Sequence, residues 1–319
     1  MVAYVIRRLI TLVIMALVLT FLIYLGMYLT PGDPLTYMIS PDALANMDPA
    51  QLQAARKALG LTDPFIIRYL HWLGGVFVGH FGYSITSGVP ITHILAIRLP
   101  ATLELSFAAL LISSVLGTAF GLTSALRKGG VTDNVLTAAG MLGVSVPQFF
   151  FGLVSLLLFA IRLNWLPIGG RLEPGQTGLV AQLRHLILPA LVLGTAMTAG
   201  VMRYARASML DAGGKDYMKT ARSKGLPEWR VNFMHGFRVA LAPVVVLVGF
   251  RLPMLVGGTV VIEQVFQWPG VGSAFVDAVR GQNYPLVMMI ALSTVVMVLF
   301  ASFLIDLLTA ALDPRIKLE

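Results

Sequence analysis

Long apolar runs, separated by shorter polar stretches, recur along the whole of the 319-residue chain. A helix rises about 1.5 Å per residue, so about 20 apolar residues cross the roughly 30 Å hydrocarbon layer of a membrane. Six runs meet that length and are predicted as spans: Leu9–Leu29, Thr102–Leu126, Val135–Ala160, Leu186–Tyr204, Val244–Ile262 and Leu286–Leu308. Backbone polar groups find no water in the bilayer, so each span must satisfy its own hydrogen bonds as a helix. The pattern therefore predicts an all-α integral membrane protein with six transmembrane helices. The first run follows Arg7 and Arg8 and ends in Thr30-Pro31-Gly32-Asp33-Pro34, a helix stop rather than a small-residue cleavage site. It is expected to be a retained span, not a signal peptide.

The largest extramembrane piece runs from about residue 31 to residue 100. Asp48-Pro49 and Asp63-Pro64 each set a capping acid before a proline at the first helical position, where the missing N–H costs nothing. One helix is predicted from Pro49 to a stop at Gly60, a second from Pro64 to about Val78. The second carries Phe65, Ile66, Tyr69, Trp72 and Leu73 beside Arg68 and His71. It is too short to span, and its aromatics suit headgroup depth. This segment, 31–100, is expected to be a small extracytoplasmic helical cap between the first span (1–30) and a five-span core (101–312), with a tail at 313–319. No tandem repeat or low-complexity tract interrupts the chain.

Composition agrees with the pattern: 57% of residues are hydrophobic, 12% are charged and the mean hydropathy is +0.83. Soluble domains carry about a quarter charged residues. The net charge of +8 would hint at nucleic acid in a soluble protein, but here placement decides its meaning. With the N-terminus in the cytoplasm, fourteen Lys and Arg fall in inside segments, eight fall in outside segments, and Arg251 alone lies within a span. That bias predicts both termini in the cytoplasm, and charge placed beside membrane spans implies no nucleic-acid partner. The chain has no cysteine, which excludes disulfides and thiolate chemistry within it.

One polar island departs from the apolar frame. Between the fourth and fifth spans runs Lys215-Asp216-Tyr217-Met218-Lys219-Thr220-Ala221-Arg222-Ser223-Lys224-Gly225-Leu226, leading on to Leu241-Ala242-Pro243. Asp216 suits the positive end of a short helix and Gly225 supplies its stop. Ala221 and Gly225, four apart, leave one patch without bulky side chains, where another surface can approach closely. Trp229, Phe233, Phe237 and Leu241 then repeat at i+4, an amphipathic stretch returning to the membrane. The plainest reading is a basic helix resting on anionic lipid, at roughly 1 kcal/mol per Lys or Arg near the surface.

Two polar residues fall at membrane depth. Arg251, followed by Pro253, is expected either to line a translocation path and attract a carboxylate or to pair with Glu104 or Asp306. Gln148, after Val146-Pro147, is expected to shape a cavity or to bond between helices. Trp268-Pro269-Gly270-Val271-Gly272 reads as a rigid turn or an aromatic anchor. No phosphate-binding loop is present: Gly214-Lys215 is followed by Asp216, and Met209 stands where the first glycine would be. No metal or hydrolase motif occurs, and His71, His80, His93, His185 and His235 are scattered. The chain is expected to be non-catalytic, with no cofactor of its own.

The island resembles the coupling segment of ABC importer permeases, whose motif is Glu-Ala-Ala, three variable residues and Gly. Here Lys219, Thr220, Ala221 and Gly225 stand at those positions, without the Glu and the first Ala. Asp216 to Gly225 is closer to the dipeptide/oligopeptide/nickel permease variant, Asp-Tyr-x-x-Thr-Ala-Arg-Ala-Lys-Gly. Pro31-Gly32-Asp33-Pro34, Phe81-Gly82-Tyr83-Ser84, Ala101-Thr102-Leu103-Glu104-Leu105, Ile187-Leu188-Pro189-Ala190, Phe266-Gln267-Trp268-Pro269-Gly270-Val271-Gly272 and Asp313-Pro314-Arg315 are similar to that family's pieces in order, and the large outside segment to its first subunit.

The resemblance implies the type I arrangement and a homologous second permease subunit. It also implies two ATPase subunits holding ATP and Mg, an extracytoplasmic binding protein, and a di- or oligopeptide substrate. By the same resemblance Asp216, Tyr217, Thr220, Ala221, Arg222, Lys224, Gly225 and Leu226, within a segment 207–240, couple to the ATPase, and Trp268, Pro269 and Gly270 belong to the outer mouth. Many relatives carry a neutral amide at the position of Arg251. Nickel chelates, glutathione and other small solutes are alternative cargoes. A secondary transporter or a lipid-bound scaffold is the rival from another class.

Overall fold

The computed structural model describes residues 2–30, 35, 39, 41–58, 61–173, 175, 178–251, 253, 257 and 259–312. The Pro31–Pro34 and Asp313–Arg315 motifs lie outside them. The helices are α1 (Val2–Tyr28), α2 (Pro41–Ala45), α3 (Pro49–Ala58), α4 (Phe65–Phe77), α5 (Ile91–Leu126), α6 (Val131–Ser145) and α7 (Gln148–Ser155) with a π-helical turn after it (Leu156–Arg162). Then come α8 (Leu179–Gly213), α9 (Asp216–Ser223), α10 (Glu228–Arg230), a second π-helical segment (Val231–Phe237), α11 (Arg238–Phe250), α12 (Val260–Val265), α13 (Val271–Arg280) and α14 (Tyr284–Leu312). Among the described residues no β-strand forms.

Among the described residues five helical stretches are long and apolar enough to cross a membrane, and the α6–α7 pair makes a sixth if it is one span. One span differs from the pattern's prediction. The third, expected to be continuous, bends by 100° between α6 and α7. Val146 ends α6 in extended geometry, φ −83° and ψ 126°, because Pro147 excludes the α region from the residue before it. For the fifth, expected at 244–262, the described residues give a continuous helical stretch over 228–250, and residues 252, 254–256 and 258 of the expected range lie outside the described residues. Pro243, which reads as a boundary, sits inside α11, as Pro100 sits inside α5 and Pro189 inside α8. Long apolar helices tolerate proline when neighbouring groups accommodate the freed carbonyl.

The chain forms two compact units. The first comprises residues 1–100 and 270–303. In it, α4 lies against α1 through an aromatic cluster. Tyr69 and Leu73 are buried with Tyr24 and Met288, Phe21 meets Phe65 and Tyr69 edge-on at 5.5 Å, and the Tyr69 hydroxyl lies 2.9 Å from Thr20 Oγ1. Packing against a span, rather than propensity, thus holds this short helix. A second cluster joins Ile91 and Leu95 to Val271, Ala274, Ala278 and Ile290. At α3, the Gln51 N–H donates to Asp48 Oδ1 (2.7 Å) and the Asp48 N–H donates to Gln51 Oε1 (2.9 Å), a reciprocal cap at the predicted position. At α4, the residue before the helix is Pro64 and no side chain caps it, so Asp63 does not play the part its position implies.

The second unit comprises the described residues of 101–269 and 304–312. Its core gathers Leu105, Ala109, Leu156, Leu188, Val192, Ile262, Phe266 and Trp268. Helices α5 and α8 approach closely where glycines face them. A Cβ on Gly117 would lie 2.6 Å from Val201 Cβ, and one on Gly121 would lie 2.6 Å from the Met202 carbonyl oxygen. Four-residue spacing of small residues is a common way for membrane helices to bring backbones together, since lipid supplies no hydrophobic drive.

Candidate functional site

The polar island folds as a short helix tied to the end of α8. After Gly213, Gly214 and Lys215 make a two-residue link; Lys215 is extended (φ −77°, ψ 152°), and α9 begins at Asp216. Asp216 accepts an ion pair from Lys219 Nζ at 2.9 Å in the first turn, where a carboxylate also faces the positive end of the helix. At the other end Gly225 adopts φ +76°. Its N–H donates to the Arg222 carbonyl (2.9 Å) and the Leu226 N–H donates to the Ala221 carbonyl (3.4 Å). This is a Schellman stop: glycine permits the left-handed turn, and Leu226 folds back as its apolar contact. Pro227 prevents continuation.

Beneath α9, Met218 (0% exposed) and Ala221 (6%) pack on Val231, with Leu226 at the edge. Gly236, in the second π-helical segment, lets Met209 of α8 and Met218 of α9 reach its backbone; an added Cβ would stand 2.9 Å and 3.0 Å from their Cε atoms. The small residue at 221 therefore admits the chain's own Met218 and Val231, not a foreign surface as its spacing with Gly225 implied. What α9 presents outward is Tyr217, Lys219, Thr220, Arg222, Ser223, Lys224 and Gly225, all exposed. Arg222 is held by Glu228 at 2.8 Å. The i+4 row that follows also points outward at its start: Trp229 and Phe233 are exposed, with the Arg230 guanidinium 5.3 Å from the Trp229 ring. Val231, Gly236 and Ala240 face inward instead, because the π-helical turn shifts the register.

The end of α8 is anchored a second time. Arg206 Nη2 pairs with Asp133 Oδ2 at 2.8 Å and Arg206 Nε donates to Asp133 Oδ1 at 2.8 Å, a bidentate contact. The same carboxylate accepts from the Ser124 hydroxyl and from the Gly129 N–H (2.9 Å), so α5, its turn into α6 and α8 converge on one buried acid. In sequence Arg206 is only one of the chain's 23 Lys and Arg residues.

At membrane depth, Arg251 closes α11. Its Nη1 donates to the Met197 carbonyl at 2.8 Å and the guanidinium lies over Gly200, so the arginine is laid along the backbone of α8. Glu104 is instead engaged by Arg171 (2.7 Å) and Gln182 (2.8 Å), so the Arg251–Glu104 pair does not form. Gln148 is the first residue of α7 at the bend, half-buried, and its amide makes no side-chain hydrogen bond among the described residues. Trp268 is fully buried rather than an interfacial anchor, and its Nε1 donates to the Ala101 carbonyl at 2.8 Å. Pro269 follows it, and Gly270 precedes α13 in extended geometry. Beside Trp268 the pattern missed Glu263: it is 0% exposed and takes hydroxyl hydrogen bonds from Thr102 (2.8 Å) and Thr259 (2.9 Å) at Oε1. Only the acid's place one turn before a Trp-Pro pair could have drawn attention to it.

Comparison with known proteins agrees with this architecture. Residues 117–318 match the family "Binding-protein-dependent transport system inner membrane component", and residues 1–106 match its N-terminal component. The chain is 40% identical to the oligopeptide transport system permease protein AppB of Bacillus subtilis, over 99% of this chain and 100% of that one. It is 35% identical to the di/tripeptide transport system permease protein DppB of Pseudomonas aeruginosa and 32% identical to the dipeptide transport system permease protein DppB of Escherichia coli K12, with 99% of each chain covered in both cases. The chain belongs to the family of binding-protein-dependent transport system inner membrane components. It is a multi-pass membrane permease subunit.

Proposed function

We propose that this chain is the transmembrane subunit of an ATP-driven importer of di- or oligopeptides. It forms half of a pore with a homologous second permease subunit, both termini in the cytoplasm of a bacterial inner membrane. Two ATPase subunits, which carry the ATP and Mg, dock beneath the permease pair, and one of them seats on the outward face of α9 through Tyr217, Thr220, Arg222, Lys224 and Gly225; Met218, Ala221 and Leu226 hold that face in place from beneath. A binding protein delivers peptide at the opposite side, where Trp268, Pro269 and Gly270 belong to the outer mouth. Arg251 and Gln148 border the path through the core. The chain supplies no catalytic group.

The observation that carries this reading is likeness over 99% of the chain to proteins named as oligopeptide and dipeptide permeases. The docked α9 supports it: a preorganised knob loses little conformational freedom when a partner binds. The test is reconstitution of the full complex in liposomes. Labelled dipeptide should accumulate only with ATP and binding protein, and peptide-loaded binding protein should stimulate hydrolysis. Accumulation driven by an ion gradient without ATP would overturn the proposal.

A further inference from the structure

Within the first unit, α1, α4 and α14 enclose a half-open cavity of about 470 Å³, in the size range that holds a small organic ligand. Its depth follows from where its lining residues fall on their helices. Tyr24 and Met27 lie at the C-terminal end of α1, which ends at Tyr28; Met288 and Met289 lie in the first turns of α14, which begins at Tyr284. Both positions are span ends, so the cavity opens where hydrocarbon gives way to headgroups.

Its chemistry is divided. The floor is thioether and indole, from Met27, Met288, Met289 and Trp72, a soft surface that adapts to a flexible chain. At the rim stand the guanidinium of Arg68 and the imidazoles of His71 and His80. Arg68 is half-buried, 5.6 Å above the Tyr28 ring, and among the described residues no carboxylate pairs with it. A cation at headgroup depth above an apolar slot matches one kind of molecule. We propose that this cavity binds an anionic phospholipid from the leaflet at the C-terminal end of α1, its phosphate on Arg68 and one acyl chain over the methionines. A free phosphate would leave the apolar floor empty. A peptide would bring backbone amides to a floor with nothing to pair them.

The intact transporter complex, embedded in nanodiscs of mixed phosphatidylglycerol and phosphatidylcholine, is released into the gas phase and its retained lipids are identified by native mass spectrometry. One arginine near the surface is worth roughly 1 kcal/mol toward anionic lipid, which sets an expected preference for phosphatidylglycerol of about fivefold. Arg68→Gln should abolish the preference and Arg68→Lys should keep most of it. Leu61→Trp, which fills the cavity from another lining residue and leaves the cation in place, should expel the lipid altogether. Equal retention of both lipids, or a preference unmoved by Arg68→Gln and Leu61→Trp, would overturn the assignment. Displacement of the lipid by millimolar inorganic phosphate, or retention of peptide in its place, would overturn it as well. None of these readouts requires transport, so the outcome is separate from that of the importer proposal.

Discussion

Ala221→Asp separates two views of the coupling helix. If residue 221 is a bare spot that an ATPase touches, the substitution should weaken that contact and leave α9 alone. The packing predicts the reverse order of events. Ala221 is 6% exposed and faces Met218, Val231 and Leu226. A carboxylate placed there meets no donor in that cluster, since the Arg222 and Lys224 side chains nearby in sequence are exposed. Burying an unpaired polar group costs about 2–7 kcal/mol, and a charge more. Seating Met218 stabilises the docked helix by only about 1.5–3 kcal/mol. The penalty equals or exceeds the gain, so α9 should lift off before anything binds it.

The assay is hydrogen exchange at the Gly225 and Leu226 amides, whose bonds to Arg222 and Ala221 exist only while the Schellman turn is closed. In Ala221→Asp these amides should lose protection in the permease without ATPase present, and ATPase recovery should fall with them. Gly225→Ala is the companion. Its φ of +76° costs an L-residue about 1–2 kcal/mol, but no atom lies within 4 Å of the added Cβ. It should loosen the last turn while Met218 stays buried. Unchanged exchange in Ala221→Asp together with lost ATPase binding would refute this view of residue 221.

Gly121→Ala should lower the unfolding temperature of the purified permease, followed by tryptophan fluorescence, because the new methyl would meet the Met202 carbonyl at 2.6 Å and backbone cannot rotate away as a side chain can; overpacking of this kind costs about 1–3 kcal/mol. Trp268→Phe keeps an aromatic ring but removes the Nε1–H bond to the Ala101 carbonyl, which remains a helical acceptor within α5, so the expected loss is about 0.5–1.5 kcal/mol, readable in the same melt. Arg251→Gln should reduce peptide uptake by the reconstituted complex while all subunits still co-purify; unaltered uptake would remove Arg251 from the proposed path.

The apolar pattern carries the all-α membrane fold, and Asp216 and Gly225 mark the ends of α9 because capping and left-handed turns depend on the local residue. The same holds for the reciprocal cap at Asp48. Prolines mislead where tertiary context overrides them. Pro243 lies inside α11 although it reads as an edge, whereas Pro147 does break its span, and nothing in the two local sequences distinguishes these outcomes. Long-range partners are silent too. Asp133 and Arg206 are 73 residues apart, and Thr102 reaches Glu263 across 161. Each becomes recognisable only when a helix pairing has been fixed, which periodicity alone does not do.

In the coupling proposal, α8 is the rod that carries motion away from α9. A two-residue link joins α9 to it, too short to let α9 shift far without it. Arg206 fixes α8 to Asp133 in the first turn of α6, Val201 and Met202 meet Gly117 and Gly121, and the Met197 carbonyl and Gly200 receive Arg251. A displacement imposed at α9 therefore enters a helix gripped at successive turns by α5, α6 and α11. Close-packed interfaces of this sort move between discrete arrangements rather than deform gradually. For ATP to drive such a change, the ATPase must hold α9 differently in its two states, since a partner shifts an equilibrium only by its difference in affinity for them. The Asp133–Arg206 contact is where that change would be felt on the far side of α8, because it ties the rod to α6 through charge rather than through apolar surface that slides.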